Sequence, residues 1–284
     1  MGFTSLTDKF VLENGYGIPC IGYGTWLVEN GDVAVNSVAE AIRAGYRHID
    51  TAARYGNEES VGRAVAESGI DRSQIHLTSK VWNTERGYDK VMAAFERSLK
   101  ALGTDYLDLY LVHWPASPSQ FDNWEDINRD TWRAMMDIYR SGRAKAIGVS
   151  NFKPHHLAAL MDAEIRPMAD QIEYHPGRTQ AETVKFCQEN GIQVEAWSPL
   201  GRAGALGNET ICAIAGAHGK TAAQVCIRWC LQNNVLPLPK SVTPSRILSN
   251  TDVFDFELTA GEMEAINTLD LECGPNQDPD KIDF

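Results

Sequence analysis

The chain has no stretch of about 18 consecutive apolar residues, so nothing in its 284 residues reads as a membrane-spanning helix. It is short of positive charge. With 26 Lys and Arg against 38 Asp and Glu, the formal charge is −12. Such a field repels phosphate backbones and argues against nucleic acid as a main partner, though it leaves room for a local basic pocket. Cysteine is sparse. Cys20, Cys187, Cys212, Cys226, Cys230 and Cys273 are too few for a disulfide framework, and they point to a reducing, cytoplasmic compartment. Cys226 and Cys230 lie four apart in the helical-looking TAAQVCIRWCLQ with no matching pair elsewhere, so they read as small buried residues rather than metal ligands. The 23 Gly and 12 Pro follow no triplet period, which excludes collagen. Linkers and long charge runs are missing. The opening MGFTSLTDKFVLENG lacks the basic-then-apolar order of a signal peptide, and nothing basic follows Gly2 to support acylation.

What is present is an alternation. Apolar residues make up 43% of the chain, ordinary for a globular protein long enough to bury a large core without a metal or disulfide. FVLENGYGIPCIGYG reads as a hairpin with a type I′ turn at Asn14 and Gly15. Short strand-like runs then alternate with helical patterns. Strands are expected near 21–24, 46–50, 75–80, 107–113, 144–150, 168–174, 192–198 and 235–239. Helices are expected near 32–44, from 58 to before Gly69, then 89–102, 132–141, from Pro154, 181–190 and in two parts over 209–232. About eight strand-then-helix units demand parallel strands with crossover helices. The predicted fold is α/β, a (β/α)8 TIM barrel with an N-terminal β-hairpin and a short C-terminal tail, as one domain over 1–284. A doubly wound sheet would need a glycine fingerprint after its first strand. Gly22 and Gly24 are followed by Leu27 where the third glycine belongs.

Four polar residues fall at the ends of successive strands: Asp50 and Tyr55 after the second, Lys80 closing the third, His113 closing the fourth. Barrel strand ends converge on one mouth. A lone Asp there is usually a cap and a lone His usually structural. A Lys closing an apolar strand is different, because a buried ammonium needs a carboxylate nearby. Together the four suit carbonyl reduction. Hydride addition makes an alkoxide that needs a proton, and a phenol beside an ammonium is a proton donor whose pKa the ammonium lowers. Asp50 would hold Lys80, and His113 would orient the substrate oxygen.

DTAARYGNEESVGRAV (50–65), SKVWN (79–83), LVHWP (111–115), GVSNF (148–152), QIEYHP (171–176), WSPLG (197–201) and PKSVTPSRI (239–247) resemble, in order, the signature segments of the aldo-keto reductase family. The likeness spans nearly the whole chain. It implies a barrel, usually monomeric, that binds NADPH (NADP+) without a Rossmann domain and reduces small carbonyl compounds. It implies that Asp50, Tyr55, Lys80 and His113 are catalytic, with Tyr55 the proton donor. Ser150, Asn151 and Gln171 match the residues that bond the nicotinamide amide, and Trp197 matches the ring that stacks on it. Thr25 and Trp26 match a loop near ribose and substrate. Ser198, Leu200 and Gly201 match a pyrophosphate loop. Lys240, Ser241, Thr243 and Arg246 match the 2′-phosphate site, and Asn250 an adenine contact. Ser249 departs from the family, where Glu or Gln often stands. Trp26, Trp82, His113 and Trp114 match the substrate pocket. The brief segment after the last helical pattern is similar to the bacterial branch that includes 2,5-diketo-D-gluconate reductases, which implies small dicarbonyls, keto sugars or keto sugar acids as substrates. A non-catalytic nucleotide-holding module would not need the four intact residues. A metal-dependent hydrolase would need clustered ligands, and His155 with His156 reads as a solvent-facing pair at a helix start.

Overall fold

The computed structural model describes residues 2–282. Strands β1 (Lys9–Val11) and β2 (Gly17–Pro19) pair antiparallel. Their turn is closed by Gly15 N–H to the Leu12 carbonyl at 2.8 Å. It is not type I′, since only Gly15, at φ +81°, is left-handed, whereas that turn needs both central residues there.

The hairpin precedes eight parallel strands: β3 (Tyr23–Gly24), β4 (His48–Asp50), β5 (His76–Val81), β6 (Leu107–Val112), β7 (Ala144–Ser150), β8 (Ala169–Glu173), β9 (Gln193–Trp197) and β10 (Leu236–Leu238). They lie side by side in chain order. Gly22 and Gly24 N–H groups then bond the Pro237 and Pro239 carbonyls at 3.0 and 3.1 Å, which joins β3 to β10 and closes the barrel. Among the described residues the eight-stranded sheet is thereby left without a free edge. Helices α1 (Asp32–Arg43), α2 (Glu58–Glu67), α3 (Tyr88–Leu102), α4 (Trp124–Arg140), α5 (Pro154–Ala158), α6 (Ala181–Glu189), α7 (Glu209–His218), α8 (Ala222–Gln232), α9 (Pro244–Ser249) and α10 (Ala260–Asn267), with short 3-10 turns between some of them, connect and follow the strands. Helix α3 shows why such segments form. Val91, Ala94, Phe95 and Leu99 bury one face, and Gly103, left-handed at φ +62°, ends it. Helix α4 begins eight residues before the expected start at Trp132. Its first turns carry only the half-buried Trp124 and Ile127 as apolar residues, and they are anchored by the buried Asn128 amide, which accepts from Ala116 N–H at 2.8 Å and donates to Ala116 O at 3.0 Å. Cys226 and Cys230 are fully buried on α8, as expected.

Strand periodicity of two separates the faces. Ile49, Leu77, Tyr110, Ile147 and Val194 belong to one face, which packs against the helices. Paired residues on the other face run up the barrel interior: His48 beside His76, then Thr78, then Asp50 and Lys80. This column is polar. His48 Nε2 lies 3.0 Å from Thr78 Oγ1, and the two imidazoles meet edge to face at 4.5 Å. Gly148 gives the interior its closeness, since a Cβ there would sit 2.5 Å from Ala169 O.

Burial first, then mutual repulsion, pushes the His48 imidazole well down. Burial, then Arg72, pushes His76 down to about 3. Both stay neutral in the fold, while the unfolded chain protonates them near pH 6.5. Stability is therefore complete above pH 6.5 and is lost as pH falls from there toward 3, by about 1.4 kcal/mol per pH unit for each histidine. Urea midpoints at pH 7.5, 6 and 5 should fall in that order, and His76→Phe should flatten the fall. A midpoint that ignores pH over this range would contradict the account.

Candidate active site

The C-terminal ends of the strands open into a cavity of about 1030 Å³. Asp50 ends β4, and a 3-10 turn over Ala53–Tyr55 brings Tyr55 back over it. Lys80 comes up from β5 and is completely buried. Its Nζ bonds both Asp50 oxygens at 2.7 Å, the Thr51 carbonyl at 2.9 Å and the Tyr55 hydroxyl at 3.3 Å. All three ammonium protons are thus committed beneath the cavity floor. The Tyr55 ring packs at 5.7 Å from the His113 ring and 4.9 Å from Trp26.

Lys80 lowers the Tyr55 pKa as expected, but burial outweighs it. Enclosure of the phenol raises it, Lys80 pulls it back, and the net direction is up. Phenolate would be the buried charged form, so the low dielectric opposes it. For Lys80, burial opposes the charge, but Asp50 and Tyr55 outweigh it and the net direction is up. His113 is held well below its ordinary value by burial, then by Lys80 and Arg54, so its imidazole is neutral. The site therefore offers a neutral phenol and a neutral imidazole above a fixed ammonium.

Gln171, on β8, joins this group. Its Nε2 donates to Asp50 at 3.0 Å and to Glu195 at 2.8 Å. Glu195, on β9, is pushed up to about 7 by burial and then by Asp50. Sequence reasoning passed over Glu195, because an acid inside an amphipathic-looking strand carries no mark of facing inward. Asn151 is a second hub. It is left-handed at φ +62°, donates to His113 O and Ser150 Oγ at 3.0 Å each, and accepts from the Trp197 indole at 2.8 Å. Ser150 in turn donates to Gln171 O at 2.7 Å.

Of the residues expected at the site, Trp26, Trp82, His113, Trp114, Ser150, Asn151, Gln171, Trp197, Ser198, Leu200, Lys240, Ser241, Arg246 and Asn250 line the cavity with Asp50 and Tyr55. Four do not line it, and the first is Lys80, buried beneath the floor. Thr25 is buried behind, its hydroxyl on Asp50 O at 2.9 Å. Gly201 packs against Cys273 and His175. Thr243 caps α9 in solvent. Arg54, Leu27, Arg202 and Gln277 line the cavity without having been singled out in the sequence.

Gln277 arrives from the C-terminal tail, which folds back to the mouth despite its brevity. Arg178 bonds Gln277 O at 3.1 Å, and Lys153 bonds Asp278 and, at 2.9 Å, Asp280. His155 and His156 are not a solvent-facing pair. His156 is fully buried, and both Nε2 atoms lie 3.0–3.1 Å from Asp280. These donor atoms sit within 4.8 Å of one another, close enough for a metal. However, His156 Nδ1 accepts the Lys153 N–H at 3.1 Å, so the neutral ring carries its proton on Nε2, where a metal would need the lone pair. The cluster is an ion-pair latch on the tail.

A family model described as Aldo/keto reductase family matches residues 20–271. Glyoxal reductase of Bacillus subtilis is 50% identical over 284 residues, covering 99% of both chains. The crystal structure of MGS-M4, an aldo-keto reductase from a Medee basin deep-sea metagenome library, superposes with a TM-score of 0.90 at 44% identity over 97% of this chain and 100% of that one. An aldo-keto reductase of Bombyx mori, crystallised with NADP, gives a TM-score of 0.84 at 36% identity over 94% of this chain and 93% of that one. Among the described residues no helix is long and apolar enough to cross a membrane.

Removing one partner of a buried ion pair leaves the other charge uncompensated, at a cost of about 3–5 kcal/mol. Lys80→Met should destabilise by that amount in denaturant titration, and Asp50→Leu added to it should recover at least half. A double variant no more stable than the single one would show that the pair is not the source of the loss.

Proposed function

The chain belongs to the aldo/keto reductase family, and on that premise we propose that it reduces small aldehydes and ketones to alcohols with NADPH, Tyr55 serving as proton donor. The observation that carries this reading is the enclosed Tyr55–Lys80–Asp50 chain beside His113 at the foot of one large cavity.

The cavity suits a long, anionic cofactor. Lys240 and Arg246 stand on its rim with no described carboxylate paired to either, which is what a phosphate requires. With Ser241 and Asn250 they form the adenosine-phosphate end, and Thr243 lies just outside it at the start of α9. Ser198 and Leu200 present the strand-end loop toward the pyrophosphate, and Gly201 supports it from behind, its N–H on Ser198 O at 2.8 Å. Trp197, pinned by Asn151, presents a flat wall for the nicotinamide ring, and Ser150, Asn151 and Gln171 offer amide and hydroxyl groups to its carboxamide. When bound, NADPH supplies hydride from that ring.

The rest falls to side chains. Trp26, Trp82 and Trp114 narrow the pocket and exclude water, which strengthens every polar contact inside. His113, neutral, donates one N–H to the carbonyl oxygen and turns it toward Tyr55. As the oxygen gains charge, Tyr55 gives up its proton, and Lys80 at 3.3 Å stabilises the phenolate left behind. Asp50 keeps Lys80 charged and still. With its pKa raised, Tyr55 is protonated at neutral pH, the form that reduction needs. Small dicarbonyls fit both the narrow pocket and the name of the glyoxal reductase relative, and keto sugars or keto sugar acids fit the same space. Every residue invoked comes from one chain, so a single-domain monomer suffices.

Tyr55→Phe should lower aldehyde turnover by about 10²–10⁴-fold while NADPH still binds, because only the proton donor is lost. Turnover and cofactor fluorescence on one preparation test this, and near-normal turnover would remove Tyr55 from its role. NADPH should bind at least about tenfold more tightly than NADH, since a charge-assisted bond to the extra phosphate is worth about 1.5–3 kcal/mol. Arg246→Ala should weaken NADPH and leave NADH nearly unchanged. Equal parent affinities for the two cofactors would refute the phosphate assignment.

A further inference from the structure

The chain carries a formal charge of −12, yet its large cavity runs the other way. Among the described lining residues Arg54, Arg202, Lys240 and Arg246 are cationic, and the one acid is Asp50, already held on both oxygens by Lys80. Cations gathered at one mouth of an acidic protein create a local field for anions that the rest of the surface opposes. Lys240 and Arg246 belong to the cofactor end. Arg54 lies with the reacting groups, one residue before Tyr55, and has no part in the reading above.

Arg54 is held but not neutralised. Its guanidinium carbon sits 5.2 Å from the Trp82 ring centroid, and Trp82 meets His113 edge to face at 5.0 Å. One indole therefore separates the guanidinium from the imidazole. No described carboxylate pairs with Arg54. Cation–π attraction over an aromatic face holds a guanidinium without using it as an ion pair, so its N–H groups remain available to an anion. Its charge is felt at His113, where it adds to burial and Lys80 in keeping the imidazole neutral. A planar fork of donors beside the pocket is the natural partner of a carboxylate, which it binds through two parallel bonds.

We propose that Arg54 determines specificity by binding a carboxylate on the substrate, so that the favoured class is small aldehydes and ketones that carry an acid group. The carbonyl oxygen goes to Tyr55 and His113 and the carboxylate to Arg54, a two-point attachment across the Trp82 ring. This rests on the carbonyl-reductase reading and narrows it. Arg54 is a positioning and specificity residue, since it does not touch the reacting atoms.

The test uses 4-carboxybenzaldehyde, its methyl ester and 4-nitrobenzaldehyde, which share a planar ring and differ in charge. The unaltered protein should favour the acid over the ester in kcat/KM, and added salt should erode that preference. Arg54→Met should lower kcat/KM for the acid by about fivefold or more, chiefly through KM, as expected for a charged bond made at a pocket rim. The nitro compound should change by less than about twofold, and Arg54→Lys should restore part of the loss. Equal losses on the acid and the nitro compound, or no loss on the acid, would overturn the proposal. So would an unaltered protein indifferent to acid and ester, a result that needs no variant. Failure to turn over 4-nitrobenzaldehyde at all would instead sink the carbonyl-reductase reading. Benzoate binding to the NADPH-loaded protein then decides the role of Arg54: affinity at least fivefold weaker in Arg54→Met supports it, and equal affinity overturns it.

Discussion

The ion pair between Lys80 and Asp50 is the constraint around which the rest of the mouth is arranged. Both side chains are almost wholly out of water, and an ammonium in such a place survives only if every proton finds an acceptor. Asp50 takes one, Thr51 O another, and Tyr55 the third direction. These demands hold β4 and β5 in register and pull the 53–55 turn down over the strand ends. Gln171 and Glu195 then extend the same network across the barrel to β8 and β9. A hydrophobic pair of similar volume would cost less to bury. In the proposed reaction the ionic one serves the chemistry: a positive charge is fixed beside the Tyr55 hydroxyl.

The barrel interior is polar from end to end along β4 and β5, with two neutral histidines below and the ion pair above. Packing on the helix-facing side offsets that cost. The mouth also stores backbone strain. Leu27, Asn151, Ser198, Arg202 and Ala203 all have positive φ and all line the cavity. Such conformations cost of order 1–3 kcal/mol each and persist where surrounding contacts over-determine them. At Asn151 the contacts are visible: three side-chain bonds lock the residue, and through it the Trp197 ring.

Much of this was legible in the residues alone, and the exceptions have physical causes. Alternating strand and helix patterns specified eight units because periods of two and 3.6 are local properties of the chain. The strand-end positions of Asp50, Lys80 and His113 followed from the same count. The start of α4 was hard to read, because its first turns bury little beyond the Asn128 amide and leave Trp124 and Ile127 only half-buried. The hairpin turn was misread, because the Asn14–Gly15 pair fits more than one turn and only the backbone chooses.

The sequence by itself determined the barrel, the order of its units, and the identity of the acid, base and aromatic groups brought to its mouth. Tertiary structure decided how those groups behave. The Tyr55 phenol is pushed up rather than down because the balance of burial against one ammonium is a sum over everything packed around it. Glu195 became part of the site, and His156 became buried under the tail, because inward direction depends on neighbouring strands and on a segment more than a hundred residues away. Arg54 came to stand over Trp82, with no described carboxylate paired to it, only when the Ala53–Tyr55 turn set it there. Local periodicity is written in the chain, whereas desolvation and charge proximity exist only once distant segments share one low-dielectric space.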